Sequence, residues 1–152
     1  MAILTVFTPT YNRAYTLHKC YESLRRQTNK DFVWLIIDDG STDNTKELVD
    51  SWLKNDNGFE IRYAYKENGG MHTGHNKAYE LIYTELNVCI DSDDYMPDDA
   101  VESILSFWEK NRDNNYSGII ALDMFENGEI IGKKLPEQKS TTLSGYYYNG
   151  GK

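Results

Sequence analysis

Short apolar runs alternate with stretches of helical period along most of the chain. Ile3 to Phe7 is apolar and β-branched, stops at Thr8-Pro9, and predicts a buried strand. From Arg13 to Gln27, Leu17, Cys20, Tyr21 and Leu24 recur at helical spacing. Val33 to Ile37 predicts a second buried strand, closed by Asp38-Asp39-Gly40-Ser41. Asn44 is placed to cap the next helix, with Glu47 at the capping-box position. That helix carries Leu48, Val49, Trp52 and Leu53 on one face and stops at Asn57-Gly58. Ile61 to Tyr65 predicts a third strand with Ile61, Tyr63 and Tyr65 on one side. A glycine-rich loop, Glu67 to Gly74, leads into a helix through Ala78, Leu81 and Ile82. Val88 to Ile90 predicts a fourth buried strand, and Pro97 suits the first turn of a helix through Val101, Ile104, Leu105 and Trp108. Gly118 to Met124 predicts a fifth strand, followed by a hairpin turn at Asn127-Gly128.

Strand–helix alternation on this scale predicts an α/β fold, a three-layer α/β/α sandwich around a mainly parallel, Rossmann-like sheet. Residues 1–135 would form that domain. Residues 136–152 are polar and without period, and would be a tail or the start of a truncated acceptor-binding region. Ligands of such sheets sit at the carboxyl ends of the strands. Four polar clusters fall there: Thr8 to Arg13, Asp38 to Asp43, Asn68 to Asn76, and Asp91 to Asp94.

The last cluster is the most informative. Three carboxylates in four residues, leaving an apolar run, cost several kcal/mol of repulsion and desolvation unless a cation is present. Oxygen ligands suit Mg²⁺ or Mn²⁺, and magnesium is commonly held by one or two carboxylates plus substrate phosphates. The alternative is an N-terminal helix cluster satisfying the dipole, a role open to Asp94, Asp98 and Asp99. The pattern thus predicts a metal-bridged phosphorylated ligand.

Composition narrows the partners. A chain of 152 residues makes one domain, and 13% aromatic residues argue against disorder. A formal charge of -8 disfavours nucleic acid or an anionic membrane as the main partner, although a bound metal inverts the field locally. Cys20 and Cys89 read as two buried free thiols of a reducing compartment. No stretch is long enough to span a bilayer, and the apolar start has no basic leader. The expected location is cytoplasmic, with room for peripheral association at the inner face of the membrane.

Together, Thr8-Pro9-Thr10-Tyr11-Asn12-Arg13, Ile37-Asp38-Asp39-Gly40-Ser41-Thr42-Asp43, Asn68-Gly69-Gly70 and Asp91-Ser92-Asp93-Asp94 resemble family 2 glycosyltransferases of the GT-A fold. The resemblance covers roughly residues 2–125. It implies inverting transfer of a sugar from a nucleotide-sugar donor, most often a UDP-sugar, to the hydroxyl of a saccharide or lipid-linked acceptor, in bacterial polysaccharide or glycolipid synthesis. Carried over by position, it implies a donor site of Pro9, Thr10, Tyr11, Arg13, Asp39, Asn68, Gly69, Gly70, His75, Asp91 and Ser92. Tyr11 would stack on the base, Asp39 would accept from its N3–H, and Asp91 would hold the ribose or the metal through water. Asp93 would ligate Mn²⁺ or Mg²⁺ on the diphosphate. His75 stands where many relatives have an arginine, so a diphosphate contact there would follow the histidine's charge.

The resemblance supplies no catalytic base, because relatives draw it from the acceptor-binding half; Glu126, Glu129 and Glu137 are left unassigned. A nucleotide-sugar-binding module without turnover therefore stands as the second reading. A receiver-type domain would need its phospho-acceptor Asp where this chain has Asn68-Gly69-Gly70. A nucleotidyltransferase would need a basic, glycine-rich loop in place of Pro9-Thr10-Tyr11. Asp38 reads as a turn residue. His72 and His75 lack a third nitrogen or thiolate ligand for zinc.

Overall fold

The computed structural model describes residues 2–114, 116–125 and 127–132. The chain divides into two compact units, Met1–Tyr116 and Ser117–Lys152. In the first, four strands form one parallel sheet: β1 (Leu4–Thr10), β2 (Phe32–Asp38), β3 (Glu60–Tyr65) and β4 (Leu86–Cys89), in the order β3-β2-β1-β4. Between and after them run α1 (Ala14–Arg25), α2 (Thr45–Trp52), α3 (Met71–Leu81) and α4 (Ala100–Asn111).

The two faces of the sheet bury different residues, as strand alternation requires. One face carries Leu4 and Val6 of β1 with Phe32, Trp34 and Ile36 of β2. It packs against Leu17, Cys20, Tyr21 and Leu24 of α1, Val49 and Trp52 of α2, and Val101 of α4. The other face carries Phe7, Leu35 and Ile37, covered by Ala78 and Leu81 of α3. This is the expected three-layer arrangement, with three helices on one side and one on the other.

Central β1 and β2 are the continuous apolar runs and are buried almost throughout. By contrast, β4 alternates between half-buried and exposed residues, because it pairs with β1 on one side only among the described residues. The expectation of a buried fourth strand is corrected accordingly. So is that of two buried thiols: Cys20 is buried, but Cys89 is exposed.

Other local expectations shift as well. Asn44 makes no side-chain cap to α2. The neighbouring Asp43 carboxylate does that work, accepting the Thr45 N–H at 3.1 Å and, across the turn, the Ala14 N–H of α1 at 3.1 Å. Leu53, just past the last turn, is exposed rather than on the buried face. The glycine loop is shorter than its composition suggests: α3 begins at Met71, so His72, Gly74 and His75 are helical. In the second unit, no strand forms over 118–123. Met124 and Ile130 make a single antiparallel bridge around Asn127-Gly128, with Gly128 at φ 85° as the turn predicts. Among the described residues no third strand supports this pair. Glu126, Glu137, Tyr146, Tyr147 and Tyr148 lie outside the described residues.

Candidate functional site

The carboxyl ends of β1, β2 and β3 are level. Thr10 pairs with Asp38 and Asp38 with Tyr65, and the ladder continues for one step through Asp39 N–H to Thr10 O at 2.8 Å and Lys66 N–H to Asp38 O at 2.9 Å. On the other side of β1, Ile90 N–H reaches Phe7 O at 3.0 Å, which brings the following acidic segment up beside the end of β1. One cavity of about 550 Å³ opens above these ends. That size falls within the range of small-molecule sites. Its lining draws on all four polar clusters: Pro9, Thr10, Tyr11 and Arg13; Asp39; Asn68 and Gly70; Asp91, Ser92 and Asp93.

Two turns fix the β1 and β2 edges to each other. Asn12 sits at φ 52°, a conformation its short polar side chain tolerates. Its Oδ1 accepts the Thr42 N–H at 2.7 Å, and its own N–H donates to Ser41 Oγ at 2.9 Å. Asp38 is turned away from the cavity into the fold: its carboxylate accepts the Ser41 N–H at 2.7 Å and the Tyr63 hydroxyl at 2.6 Å. That arrangement pushes the Tyr63 phenol upward, by burial first and by the Asp38 carboxylate second. The structural reading of Asp38 holds.

Asp39 is built differently. It is 4% exposed. Its carboxylate accepts the Gly69 N–H at 3.1 Å, the Gly70 N–H at 2.8 Å and the Lys66 ammonium. Gly40, at φ 85°, lets the two loops interlock; a Cβ there would stand 2.7 Å from the Asn68 nitrogen. Burial alone would raise the Asp39 carboxyl, but the Lys66 and glycine donors outweigh it and hold it below the usual carboxylate value. The stability this contributes is complete above the unfolded value of about 3.9 and is lost as pH falls through the lower folded value. The stability gap between wild type and Asp39→Asn, read from urea unfolding, should therefore shrink from pH 6 to pH 3. A constant gap would contradict the linkage.

The acidic wall is open. Asp91 and Asp93 are exposed, whereas Ser92 between them is 7% exposed. Asp93 Oδ2 lies 3.3 Å from Arg13 Nη1, an ion pair with both side chains about half exposed. Among the described residues no group of three His, Cys, Asp or Glu side chains is assembled to hold a metal.

Two expected site residues stand outside the cavity lining. His75 turns toward the sheet from α3, with Nδ1 3.0 Å from Met71 O and Nε2 3.6 Å from Cys89 Sγ, and its ring meets Phe7 edge-on. Gly69 contributes its N–H to Asp39 instead of to the cavity surface. Conversely, Met71 and Gly74 line the cavity, and Lys66, outside the lining, pairs with the Asp39 carboxylate. Met71 and Gly74 belong to the polar cluster Asn68 to Asn76 that the sequence places at the ligand end of the sheet, whereas Lys66 is marked in the sequence only by its position at the end of the third strand.

Comparisons with known proteins bear on the fold and the family. The family model for Glycosyl transferase family 2 matches residues 5–149. The chain is 31% identical over 103 residues to Glycosyltransferase GlyG of Streptococcus pneumoniae, covering 67% of this chain and 34% of that protein. It is 34% identical over 110 residues to a Pasteurella multocida chondroitin synthase, covering 72% of this chain and 11% of that one. The crystal structure of S. aureus TarS 1-349 in complex with UDP superposes with a TM-score of 0.67 at 26% identity, covering 74% of this chain and 33% of the other. The chain thus spans about a third or less of the length of each of these relatives.

Proposed function

Because this chain belongs to glycosyl transferase family 2 and has its GT-A fold, we propose that it is the donor-binding part of an enzyme moving a sugar from a UDP-sugar to an acceptor hydroxyl with inversion. One observation carries the reading. A buried carboxylate, Asp39, and an exposed acidic pair, Asp91 and Asp93, line the same cavity from separate strand ends. A buried, ionised carboxylate suits an imide N–H, since charge-assisted hydrogen bonds are about twice as strong as neutral ones. Tyr11, 48% exposed in the lining, offers a face on which the base would stack. Thr10 adds a buried hydroxyl without a hydrogen-bond partner, in the same lining. Such an orphan is the kind of group a ligand satisfies.

The acidic wall fits a hard divalent cation. Asp91 and Asp93 supply two carboxylates, and diphosphate oxygens and water would complete the coordination, the usual arrangement for magnesium. Asp93 would be the direct ligand, with Asp91 on the metal or the ribose. Mn²⁺ or Mg²⁺ bound there would neutralise the departing diphosphate as the glycosidic bond breaks. Arg13, displaced from Asp93, would remain beside the phosphates as a second cation. His75 is proposed only for the structural role its contacts describe, not for the diphosphate.

The acceptor proposed is a saccharide or lipid-linked hydroxyl in polysaccharide or glycolipid synthesis, with action at the cytoplasmic face of a membrane. No described helix is long and apolar enough to cross one. Relatives named as transferases and synthases do not favour the binding-only reading.

Isothermal calorimetry with UDP tests the site. Binding should strengthen at least tenfold on adding Mn²⁺, and slow hydrolysis of a UDP-sugar should accompany it. Equal affinity with and without metal would remove the cation from the proposal.

A further inference from the structure

A carboxylate offers about four acceptor directions, two on each oxygen. At Asp39 they are unequally used. Oδ1 receives the Lys66 ammonium and the Gly69 N–H at 3.1 Å, with the Thr73 hydroxyl at 3.4 Å beyond them. Oδ2 receives the Gly70 N–H at 2.8 Å. Oδ1 is thus saturated, and Oδ2 keeps one open direction. Lys66 is also tied to the Glu67 carbonyl and is only 20% exposed along its side chain, so it is held in place rather than swinging in solvent. It stands outside the cavity lining, whereas Asp39 is in it.

The bases present different edges to such a group. Uracil shows one N–H between two carbonyls. Guanine shows N1–H and N2–H₂ side by side, a pair that takes both oxygens of a carboxylate. Cytosine shows no N–H at N3. A carboxylate with one open direction matches the first, leaves a guanine donor unpaired, and repels the lone pair of the third. An unpaired buried donor costs roughly five- to a hundredfold in affinity, a range that includes tenfold selectivity.

We infer that Lys66 is a positioning residue for base selection: by filling Asp39 Oδ1 it leaves a single acceptor on Oδ2 and sets the site for uracil against guanine. The inference rests on the donor reading proposed above and adds to it the residue that sets the base. Lys66 need not touch the nucleotide. Its removal frees Oδ1, so the effect is a gain for guanine as well as a loss for uracil, which general loosening of the fold would not produce.

The test is calorimetry with UDP, GDP and CDP, with Mn²⁺ present, on wild type, Lys66→Met and Lys66→Arg, with melting temperatures recorded alongside. Wild type should prefer UDP to GDP and CDP by tenfold or more. Lys66→Met should lose several-fold in UDP affinity and gain in GDP affinity. Lys66→Arg keeps the cation and should keep the preference. An unchanged UDP-to-GDP ratio in Lys66→Met, or equal affinity of wild type for the two, overturns the role of Lys66 while leaving a nucleotide site in place. No binding of any of the three by folded wild type would instead overturn the donor reading, and this inference with it.

Discussion

Trp34→Ala should lower the unfolding free energy by about 3–5 kcal/mol, the range for removing a large aromatic side chain from a packed core. Trp34 is fully buried at the centre of β2. Its ring lies 5.6 Å from that of Trp52 on α2 and 6.0 Å from Tyr21 on α1, which itself stacks on Trp52 at 4.3 Å. Its indole N–H donates to Thr8 Oγ1 at 3.0 Å. One side chain therefore joins two strands and two helices. Alanine would leave a cavity among groups anchored to separate elements, which limits how far they can collapse into it. A domain of this size has roughly 5–15 kcal/mol in total, so the loss is a large fraction of its stability and the urea midpoint should fall markedly. Trp34→Phe keeps most of the packing and removes the donor to Thr8, and should cost less than half as much. Urea unfolding followed by far-UV circular dichroism gives both values. A loss under about 1 kcal/mol in the alanine variant would mean that the aromatic cluster is not the centre of the core.

Of the three strands expected to be buried, the two that are buried are those whose apolar residues are covered on both faces. The runs from Leu4 to Phe7 and from Val33 to Ile37 are buried because α3 lies over one side and α1, α2 and α4 over the other. Such runs carry their burial in composition alone. Val88 to Ile90 looked similar, yet which strand lies at the margin of a sheet is set by strand order, a long-range property absent from local pattern. Helix starts were misplaced for a related reason. Gly74 weakens helix propensity, but tertiary packing overrides it: the bare backbone of α3 passes close to Pro9, with room for ordinary contact only. Asn44 and Asp43 are both good caps, and only the position of the Ala14 N–H decides in favour of the aspartate.

At the site, convergence was legible because parallel strands must end on one edge, and four clusters follow four strands. What each carboxylate does was less so. Asp38 and Asp39 are adjacent and chemically identical, and strand alternation sends them to different partners: Tyr63 for one, Lys66 and two glycine amides for the other. Neither Tyr63 nor Lys66 carries a motif. The orientation of His75 toward Phe7 and Cys89 likewise depends on its being helical, which moved its side chain off the loop where a phosphate contact was expected.

Asp93→Ala should weaken UDP binding in the presence of Mn²⁺ by about a hundredfold, roughly 2.7 kcal/mol, and change binding without metal by less than threefold. The carboxylate is exposed, and its ion pair with Arg13 at 3.3 Å is exposed too. Pairs of that kind contribute about 0–1 kcal/mol. Arg13 is therefore a weak competitor for Asp93, which a divalent cation together with a diphosphate displaces at little cost. Losing Asp93 removes one of two protein carboxylates from the cation, and a metal holding only Asp91 is left mostly to the nucleotide and water. Fold stability should be nearly unchanged, since no buried group loses a partner. Arg13→Met separates the two charges on that wall. If Arg13 only occupies Asp93 in the absence of metal, the variant should bind Mn²⁺ more tightly and UDP equally well. If it also meets the diphosphate, UDP affinity should fall several-fold with metal affinity raised. An Asp93→Ala variant that retains full metal-dependent UDP binding would move the cation away from this strand end, and with it the proposed handling of the leaving diphosphate.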